Sequence, residues 1–209
     1  IIELYMYFML EKDLIEHLSK KEKYSAYFKE GIRPIDAIVN RNQDRSAPLG
    51  TGDVKVGGNY ASSMLSYEEA HEMGYSAVLY TESIEHRYIE ECGAANFIAI
   101  KGDKYITPKS PSILPSITND SLMQLAEDKG FTIEQRPVDV AELSSFEECG
   151  ACGTGAIITP LGNVFDPESG DKIHFGDEVG PVLLDLYKSL QDIQYGRVPD
   201  IHNWTVEVE

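Results

Sequence analysis

Residues 50–60 read GTGDVKVGGNY and place one lysine, Lys55, in a glycine-rich stretch that leads into a predicted helix. Glycines let the backbone approach a ligand closely and permit positive φ. A lysine held in such a place can lose its proton and attack a carbonyl carbon. Residue types alone favour a plainer interpretation, because solvated loop lysines beside turns are common. The chemistry of this stretch therefore depends on what surrounds it.

The glycines of this stretch do not match the usual nucleotide-binding loops. The chain contains neither G-x-x-x-x-G-K-[ST] nor a G-x-G-x-x-G that follows a strand and opens a helix. Both motifs bind phosphate through a glycine loop and a helix N-terminus. We therefore do not expect nucleotide binding through them.

Two further stretches contain groups that can carry chemistry. Residues 85–97 hold the paired acids Glu90 and Glu91, and strand alternation predicts that at most one of them points inward. Residues 113–120 contain a predicted helix start with Thr118 as its N-cap. Backbone N–H groups and a hydroxyl at such a start form an anion site, although a plainly capped helix is equally common.

Residues 149–156 contain a C-x-x-C followed by Gly153, Thr154 and Gly155. Zinc needs a second ligand pair, and Cys92 has no partner near it in the sequence, so we expect no metal. A thioredoxin-like dithiol opens a helix after a strand, whereas here a glycine turn and an apolar strand follow. The Gly-Thr-Gly turn exposes backbone N–H groups and a hydroxyl, which favours an anion site over redox chemistry.

Composition limits the classes of function that we expect. Eighteen Lys and Arg stand against 35 Asp and Glu, which gives a formal net charge of −17. Such a surface repels nucleic-acid phosphates and anionic lipid headgroups, and no apolar run approaches the ~20 residues of a bilayer span. Three cysteines indicate a reducing cytoplasm rather than a disulfide framework. We expect no nucleic-acid partner, no membrane association and no signal peptide.

The order of predicted elements indicates a mixed α/β fold, because strands and helices alternate without a regular βαβ rhythm. Pro181 stands near the first helical position that tolerates proline, and Gly74 and Gly130 stand where helices end. Residues 40–52 are predicted to be loop. The predicted strands cover residues 3–10, 35–39, 76–81, 96–100, 104–107, 131–138 and 156–159, and the predicted helices cover residues 11–27, 59–73, 118–129 and 181–194.

Four motifs, in this order, resemble the branched-chain aminotransferases, which are class IV pyridoxal-phosphate enzymes. They are KVGGNY at residues 55–60, YIEE at 88–91, LPSIT at 114–118 and GTGA at 153–156. The resemblance implies the mixed α+β large domain of class IV aminotransferases at residues 35–209, which binds pyridoxal 5'-phosphate, after a divergent lead-in at residues 1–34. The smaller N-terminal domain of the family is not recognisable in this chain.

The resemblance also implies a role for each matching residue. Lys55 carries the covalent bond to pyridoxal phosphate and moves a proton between the substrate Cα and the cofactor. Glu91 meets the pyridine nitrogen, and Tyr60 donates to the phenolic oxygen of the cofactor. The remaining assignments are Ile117, Thr118 and Thr154 as the phosphate cup, Arg45 near the phosphate end, and Gly155 and Ala156 for the substrate carboxylate.

The sequence departs from the family pattern at three positions. Ser116 and Asn119 stand where glycine and arginine are usual, and Ala95 replaces a larger residue. We expect these changes to loosen the site without removing a chemical group.

The implied activity is transfer of the amino group of L-leucine, L-isoleucine or L-valine to 2-oxoglutarate by a cytoplasmic homodimer. The partners are therefore branched-chain amino acids and 2-oxo acids. One alternative is a non-catalytic module that holds the cofactor without turnover. Another is a relative of the D-amino-acid aminotransferases or aminodeoxychorismate lyases, although the KVGGNY run favours the branched-chain group.

Overall fold

The computed structural model describes residues 32–206. The strand predicted at residues 3–10 and the helix predicted at residues 11–27 lie outside the described residues, as does most of the lead-in segment 1–34. The described part mixes helices with a largely antiparallel sheet, which confirms the predicted fold class.

A barrel of six strands forms the centre of this part of the chain. Strands β4, β8, β9, β1, β2 and β3 pair in that order, and β3 pairs back with β4, which closes the ring. Closure gives every strand in the ring a hydrogen-bonded neighbour on both sides. The strands are β1 (Ile35–Asn40), β2 (Ala77–Thr81), β3 (Tyr88–Cys92), β4 (Ala95–Lys101), β5 (Lys104–Pro108), β6 (Thr132–Arg136), β7 (Val138–Asp139), β8 (Glu148–Gly153), β9 (Ile157–Phe165) and β10 (Lys172–His174).

Four α-helices cover the described part of the chain: α1 (Gly57–Ser62), α2 (Met64–Glu72), α3 (Ile117–Asp128) and α4 (Pro181–Gln194). A 3₁₀ helix spans Val140–Ser145. The last helix has the bounds that the sequence predicts, with Pro181 in its first turn.

The prediction of one helix at residues 59–73 is wrong, because the helix is interrupted at Ser63. Its hydroxyl donates to the Tyr60 carbonyl at 2.9 Å, and the Ser62 hydroxyl donates to the Asn59 carbonyl at 3.0 Å. Serine hydroxyls that bond to nearby carbonyls compete with the helical backbone. Gly74, with a φ of 89°, ends the second helix as predicted.

The hydrophobic core has separate parts inside and outside the barrel. Inward-facing residues alternate along the strands, as in Ala37 and Val39 of β1 or Phe97 and Ala99 of β4. On the outside, α3 and α4 cover β4, β8 and β9, while α2 covers β1 and β2. Both faces of the barrel strands are therefore buried.

Strands β8 and β10 were not among the predicted strands. The sequence of β8, ECGACG, contains two glycines and no β-branched or aromatic residue, so its strand propensity is low. It is nevertheless held between β4 and β9. The strand predicted at residues 131–138 is divided into β6 and β7 at Pro137, which has no N–H to donate.

Candidate active site

The loop that carries Lys55 is held in shape by Asn59, a buried residue in the first helix after it. The Asn59 side-chain amide donates to the carbonyls of Thr51 and Val54 at 2.7 and 3.0 Å, and the Thr51 hydroxyl donates back to Asn59 at 2.9 Å. Lys55 itself is exposed. Asn59 was given no role in the sequence analysis. Its position as a polar residue inside the KVGGNY motif was the one feature that could have indicated this role.

Close packing, not positive φ, explains the buried glycine of this loop. A Cβ at Gly52 would lie 2.3 Å from the Ser112 carbonyl oxygen, so a larger residue would displace the backbone. None of the glycines at positions 50, 52, 57 and 58 has a positive φ. A Cβ at Gly57 or Gly58 would meet no atom within 4 Å, so their surface is open to a ligand.

Two adjacent carboxylates on β3 are buried, which corrects the expectation that at most one points inward. Strict alternation fails here because β3 has one residue more than β2 between the pairs Leu79–Cys92 and Thr81–Ile89, as in a β-bulge. Glu90 accepts a hydrogen bond from the Ser110 hydroxyl. Glu91 accepts one from the Leu114 N–H at 3.0 Å, and its Oε2 lies 3.2 Å from Nε of the buried Arg45.

The environment of Glu91 gives its carboxyl an unusual proton affinity. Burial raises the pKa of Glu91 to about 7, while Arg45 and the Leu114 N–H oppose that rise. Glu90, the neighbouring acid, adds to it. A carboxyl whose pKa lies near neutrality can hold or release a proton at working pH, as catalytic acids and bases do.

One cleft brings together four of the residues that the sequence singled out. Arg45, Lys55, Tyr60 and Glu91 all line it, and Leu114 forms part of its wall. These residues come from the loop after β1, the Lys55 loop, helix α1, strand β3 and the loop after β5. Only the fold places them around a common space.

The start of α3 differs in detail from the prediction. Ser116, not Thr118, is the N-cap, because its hydroxyl accepts from the Asn119 N–H at 3.1 Å. The buried Asn119 side chain accepts from the Tyr105 hydroxyl at 2.7 Å and donates to Thr107 at 3.0 Å. Ser116 and Asn119, the two departures from the family pattern in this stretch, thus cap and anchor the helix. The first N–H groups of the helix are those of Ile117 and Thr118, and Ile117 follows Leu114 by three residues.

The turn between β8 and β9 holds the other predicted anion-binding residues. Thr154 and Gly155 are exposed and Ala156 is partly buried. The turn ends at Ile157, whose φ is 59°, a strained value for a β-branched residue.

Neither Thr154 in this turn nor Ile117 and Thr118 in α3 line the cleft around Lys55, but both groups border it. Leu114 of the cleft wall leads directly into α3. A Cβ at Gly153 would lie 3.8 Å from that of Ala95, next to Gly93 and Ala94, which line the cleft. Five of the predicted site residues therefore do not line the cleft but follow in sequence the residues that line or approach it: Ile117, Thr118, Thr154, Gly155 and Ala156.

The C-x-x-C cysteines lie on opposite faces of β8, Cys149 inside the barrel and Cys152 under the helices. Burial raises the pKa of both thiols, and it raises that of Cys92 to about 12. Residues 32–206 contain no group of three His, Cys, Asp or Glu side chains suited to a metal ion. None of the helices in that range combines the length and apolar character of a membrane span.

The sequence profile named "Amino-transferase class IV" matches residues 15–164, which is more than half of the chain. This chain belongs to the class IV aminotransferase family. The family is pyridoxal-phosphate-dependent, and the resemblance carried by the four motifs is confirmed.

Two curated class IV relatives are both named branched-chain-amino-acid aminotransferase. The protein of Haemophilus influenzae is 46% identical over 194 residues, which cover 88% of this chain and 55% of that protein. The protein of Helicobacter pylori is 45% identical over 186 residues, covering 88% and 54%. The chain thus spans about half the length of the curated relatives it matches.

Solved class IV structures share the fold. The branched-chain amino acid aminotransferase of Escherichia coli matches with a TM-score of 0.75 and 29% identity, over 87% of this chain and 58% of that one. The branched-chain amino acid aminotransferase of Thermobaculum terrenum, solved in its pyridoxal-phosphate holo form, matches with a TM-score of 0.70 and 28% identity, over 81% and 53%.

Proposed function

We propose that this chain is the pyridoxal-phosphate-binding part of a branched-chain amino acid aminotransferase, with Lys55 as the residue that carries the cofactor. The observation that supports this most is the convergence of Lys55, Tyr60 and Glu91 on one cleft. The family is pyridoxal-phosphate-dependent, and curated relatives carry the branched-chain name.

The cleft residues fit the chemical groups of this cofactor. Bound pyridoxal phosphate supplies a carbonyl carbon that takes up amino groups and a ring that accepts electrons. The Lys55 amine would bond to that carbon with release of water, and it would later move a proton to and from the substrate Cα. The Glu91 carboxylate, at the cleft wall, would accept a hydrogen bond from a protonated ring nitrogen, and the Tyr60 hydroxyl would donate to the phenolic oxygen.

The start of α3 and the turn between β8 and β9 fit the anionic parts of the cofactor and the substrate. The N–H groups of Ile117 and Thr118, at the start of α3, bind phosphate together with Thr154, and the helix dipole adds to this attraction. Gly155 and Ala156 receive the substrate carboxylate. The contacts of Arg45 are with Glu91, Gly52 and Ser112, so its assignment to the phosphate end remains a prediction.

The substrates that we propose are L-leucine, L-isoleucine and L-valine as amino donors and 2-oxoglutarate as acceptor. The relatives named above support the branched-chain class, and the KVGGNY run at residues 55–60 supports it over the related D-amino-acid enzymes. A homodimer in the cytoplasm is the assembly and location that we propose with this activity.

The decisive experiment tests Lys55 directly. The protein is incubated with pyridoxal phosphate, reduced with borohydride, and analysed by intact mass and peptide mapping. We expect one adduct on Lys55, no adduct in Lys55→Ala, and an undiminished adduct in the control Lys172→Ala, which removes an exposed lysine of β10. An adduct that persists in Lys55→Ala contradicts the proposal.

The amino donor distinguishes the proposed activity from its alternatives. We expect L-leucine, L-isoleucine or L-valine to convert the bound cofactor to its amine form, and 2-oxoglutarate to convert it back. Conversion by D-alanine instead would favour a D-amino-acid aminotransferase. Cofactor bound at Lys55 without conversion by any donor would identify a non-catalytic module.

A further inference from the structure

Arg45 and Glu91 form a buried ion pair at the wall of the cleft. Nε of Arg45 lies 3.2 Å from Oε2 of Glu91, and each side chain is only 6% exposed. One terminal nitrogen of Arg45, Nη2, donates to the carbonyls of both Ser112 and Gly52, the latter at 3.4 Å. Two other segments of backbone therefore hold the guanidinium against the carboxylate.

The pair is close but not saturated with hydrogen bonds. Nε of Arg45 is buried and makes no hydrogen bond within residues 32–206, because its N–H is not aligned with the nearby Glu91 oxygen. The interaction is therefore mainly electrostatic, and it is strong because water is excluded from both partners. A positive charge fixed in this way stabilises the ionised form of Glu91.

The charged groups around Glu91 show how much depends on Arg45. Burial and the neighbouring Glu90 raise the pKa of Glu91, and Arg45 is the largest influence that lowers it, followed by the Leu114 N–H. Lys55 and Tyr60 line the same cleft. Arg45 is the one cation that the structure places within 4 Å of the Glu91 carboxylate among the described residues.

We propose that Arg45 is a positioning residue that keeps Glu91 ionised, so that a proton shared between Glu91 and an aromatic ring nitrogen stays on the nitrogen. A carboxylate stabilised by a guanidinium is a weaker base, and the shared proton therefore moves to its partner. The inference rests on the proposed function, since the ring nitrogen is that of pyridoxal phosphate. It assigns Arg45 to the ring-nitrogen end of the site rather than to the phosphate end.

Glu90 provides a matched internal control. It is adjacent to Glu91 and equally buried, and its carboxylate accepts a hydrogen bond from Ser110. It does not line the Lys55 cleft. Glu90→Gln removes a buried negative charge from the same strand and leaves the contacts of the Arg45–Glu91 pair in place. Because Glu90 raises the pKa of Glu91, this variant should favour the ionised form of Glu91, which is the opposite of the effect expected for Arg45→Gln.

The first test needs no cofactor. The protonation of the Glu91 carboxyl is followed by side-chain ¹³C NMR in the wild type, Arg45→Gln and Arg45→Lys. We expect Arg45→Gln, which keeps donors for the backbone carbonyls, to raise the proton affinity of Glu91 at least about tenfold. In Arg45→Lys, the midpoint of the Glu91 titration should lie close to that of the wild type, because the effect depends on the positive charge and not on the shape of the side chain. A midpoint that is the same in all three proteins would overturn the inference.

The second test follows the ring nitrogen with ¹⁵N-labelled pyridoxal phosphate bound to each protein. We expect the ¹⁵N chemical shift of a protonated ring in the wild type, Arg45→Lys and Glu90→Gln, and a displacement towards the neutral ring in Arg45→Gln. In a Glu91→Gln background, Arg45→Gln should have no further effect. Glu90→Gln moving the signal as much as Arg45→Gln would overturn the inference.

The two tests separate this inference from the proposed function. If the cofactor binds at Lys55 but the ¹⁵N signal of its ring does not change in the Arg45 variants, the inference is wrong and the proposed function is unaffected. Absence of cofactor binding in the wild type defeats both. If Arg45→Gln lacks the wild-type circular dichroism spectrum, Arg45→Lys is compared with the wild type instead. The inference predicts that the Glu91 carboxyl has nearly the same pKa in these two proteins. A purely structural role of Arg45 predicts that the pKa differs.

Discussion

Glu91 on β3 and Glu148 on β8 are both buried carboxylates, but their surroundings differ. Glu148 accepts the N–H groups of Val182 and Leu183 at 2.9 and 2.8 Å, one on each oxygen. It thereby caps α4 from a distant strand, since the helix N-cap, Gly180, has no side chain to do so. Glu91 accepts one N–H and faces one misaligned guanidinium.

The difference separates a structural carboxylate from a chemical one. A buried charge that is matched by donors on both oxygens is stabilised where it is, and here it also fits the positive end of a helix. A buried charge with incomplete partners retains a cost of burial, which shows as the raised pKa of Glu91. That cost is reduced when a cationic or proton-bearing ligand enters the cleft.

Removing the Glu148 carboxylate tests the structural side of this comparison and has the largest expected effect. Glu148→Ala leaves two buried N–H groups without an acceptor, so we expect the free energy of unfolding to fall by about 4 kcal/mol. Urea denaturation at neutral pH measures it. Glu147→Ala, at the exposed neighbouring position, is the control and should change little. A loss below about 1 kcal/mol for Glu148→Ala would show that α4 does not need this cap.

Glu91→Gln tests the chemical side and should act in the opposite direction. The pKa of Glu91 rises from the ordinary 4.5 to about 7 in the folded protein, so the folded state binds the proton more tightly than the unfolded state. Stability is therefore lost as pH rises from about 4.5 to about 7. In the cofactor-free protein we expect Glu91→Gln to be more stable than the wild type by up to about 3 kcal/mol at pH 8 and equal to it near pH 4.

Denaturation of both proteins across this pH range provides the measurement. Glu148→Gln serves as the comparison and should be less stable than the wild type at pH 8. If Glu91→Gln also loses stability at pH 8, then Glu91 is as well satisfied as Glu148 and the distinction fails.

The start of α3 can be compared with the start of α4, and removing its cap is the change with the smallest expected effect on stability. Here the cap is local, because Ser116 accepts from Asn119 within the same turn. Ser116→Ala should lower the free energy of unfolding by about 1 kcal/mol. Thr118→Ala, at the cap position that the sequence predicted, should cost less. Equal losses from the two variants would contradict the assignment of Ser116.

Much of the candidate site could be predicted from the sequence because its chemistry lies in short, contiguous motifs. Lys55 and Tyr60 share one stretch, and Glu91 belongs to another. The errors occurred where local patterns admit two structures. Thr118 and Ser116 are both good cap residues two positions apart, and serine hydroxyls interrupt a helix that periodicity alone continues through Ser63.

The residues that sequence reasoning missed act on partners outside their own element or motif. Glu148 lies 34 residues before the N–H group of Val182 that it caps, and Asn119 anchors α3 to Tyr105 and Thr107 of β5. β8 was missed because its glycines and cysteines carry no strand signal, and its neighbours in the barrel supply the pairing. These partners are too far apart in the chain to be recognised from a short segment of sequence.

The sequence by itself determined the family, the mixed α/β class and the identity of the groups that can do chemistry, because motifs and hydrophobic periodicity are local properties. The tertiary structure decided which of those groups meet. Closure of the barrel places β3 beside β4, and the fold buries the Glu91 side chain against Arg45 and Leu114. Desolvation and a single buried guanidinium then set the charge on that carboxyl, and both depend on atoms far apart in the chain.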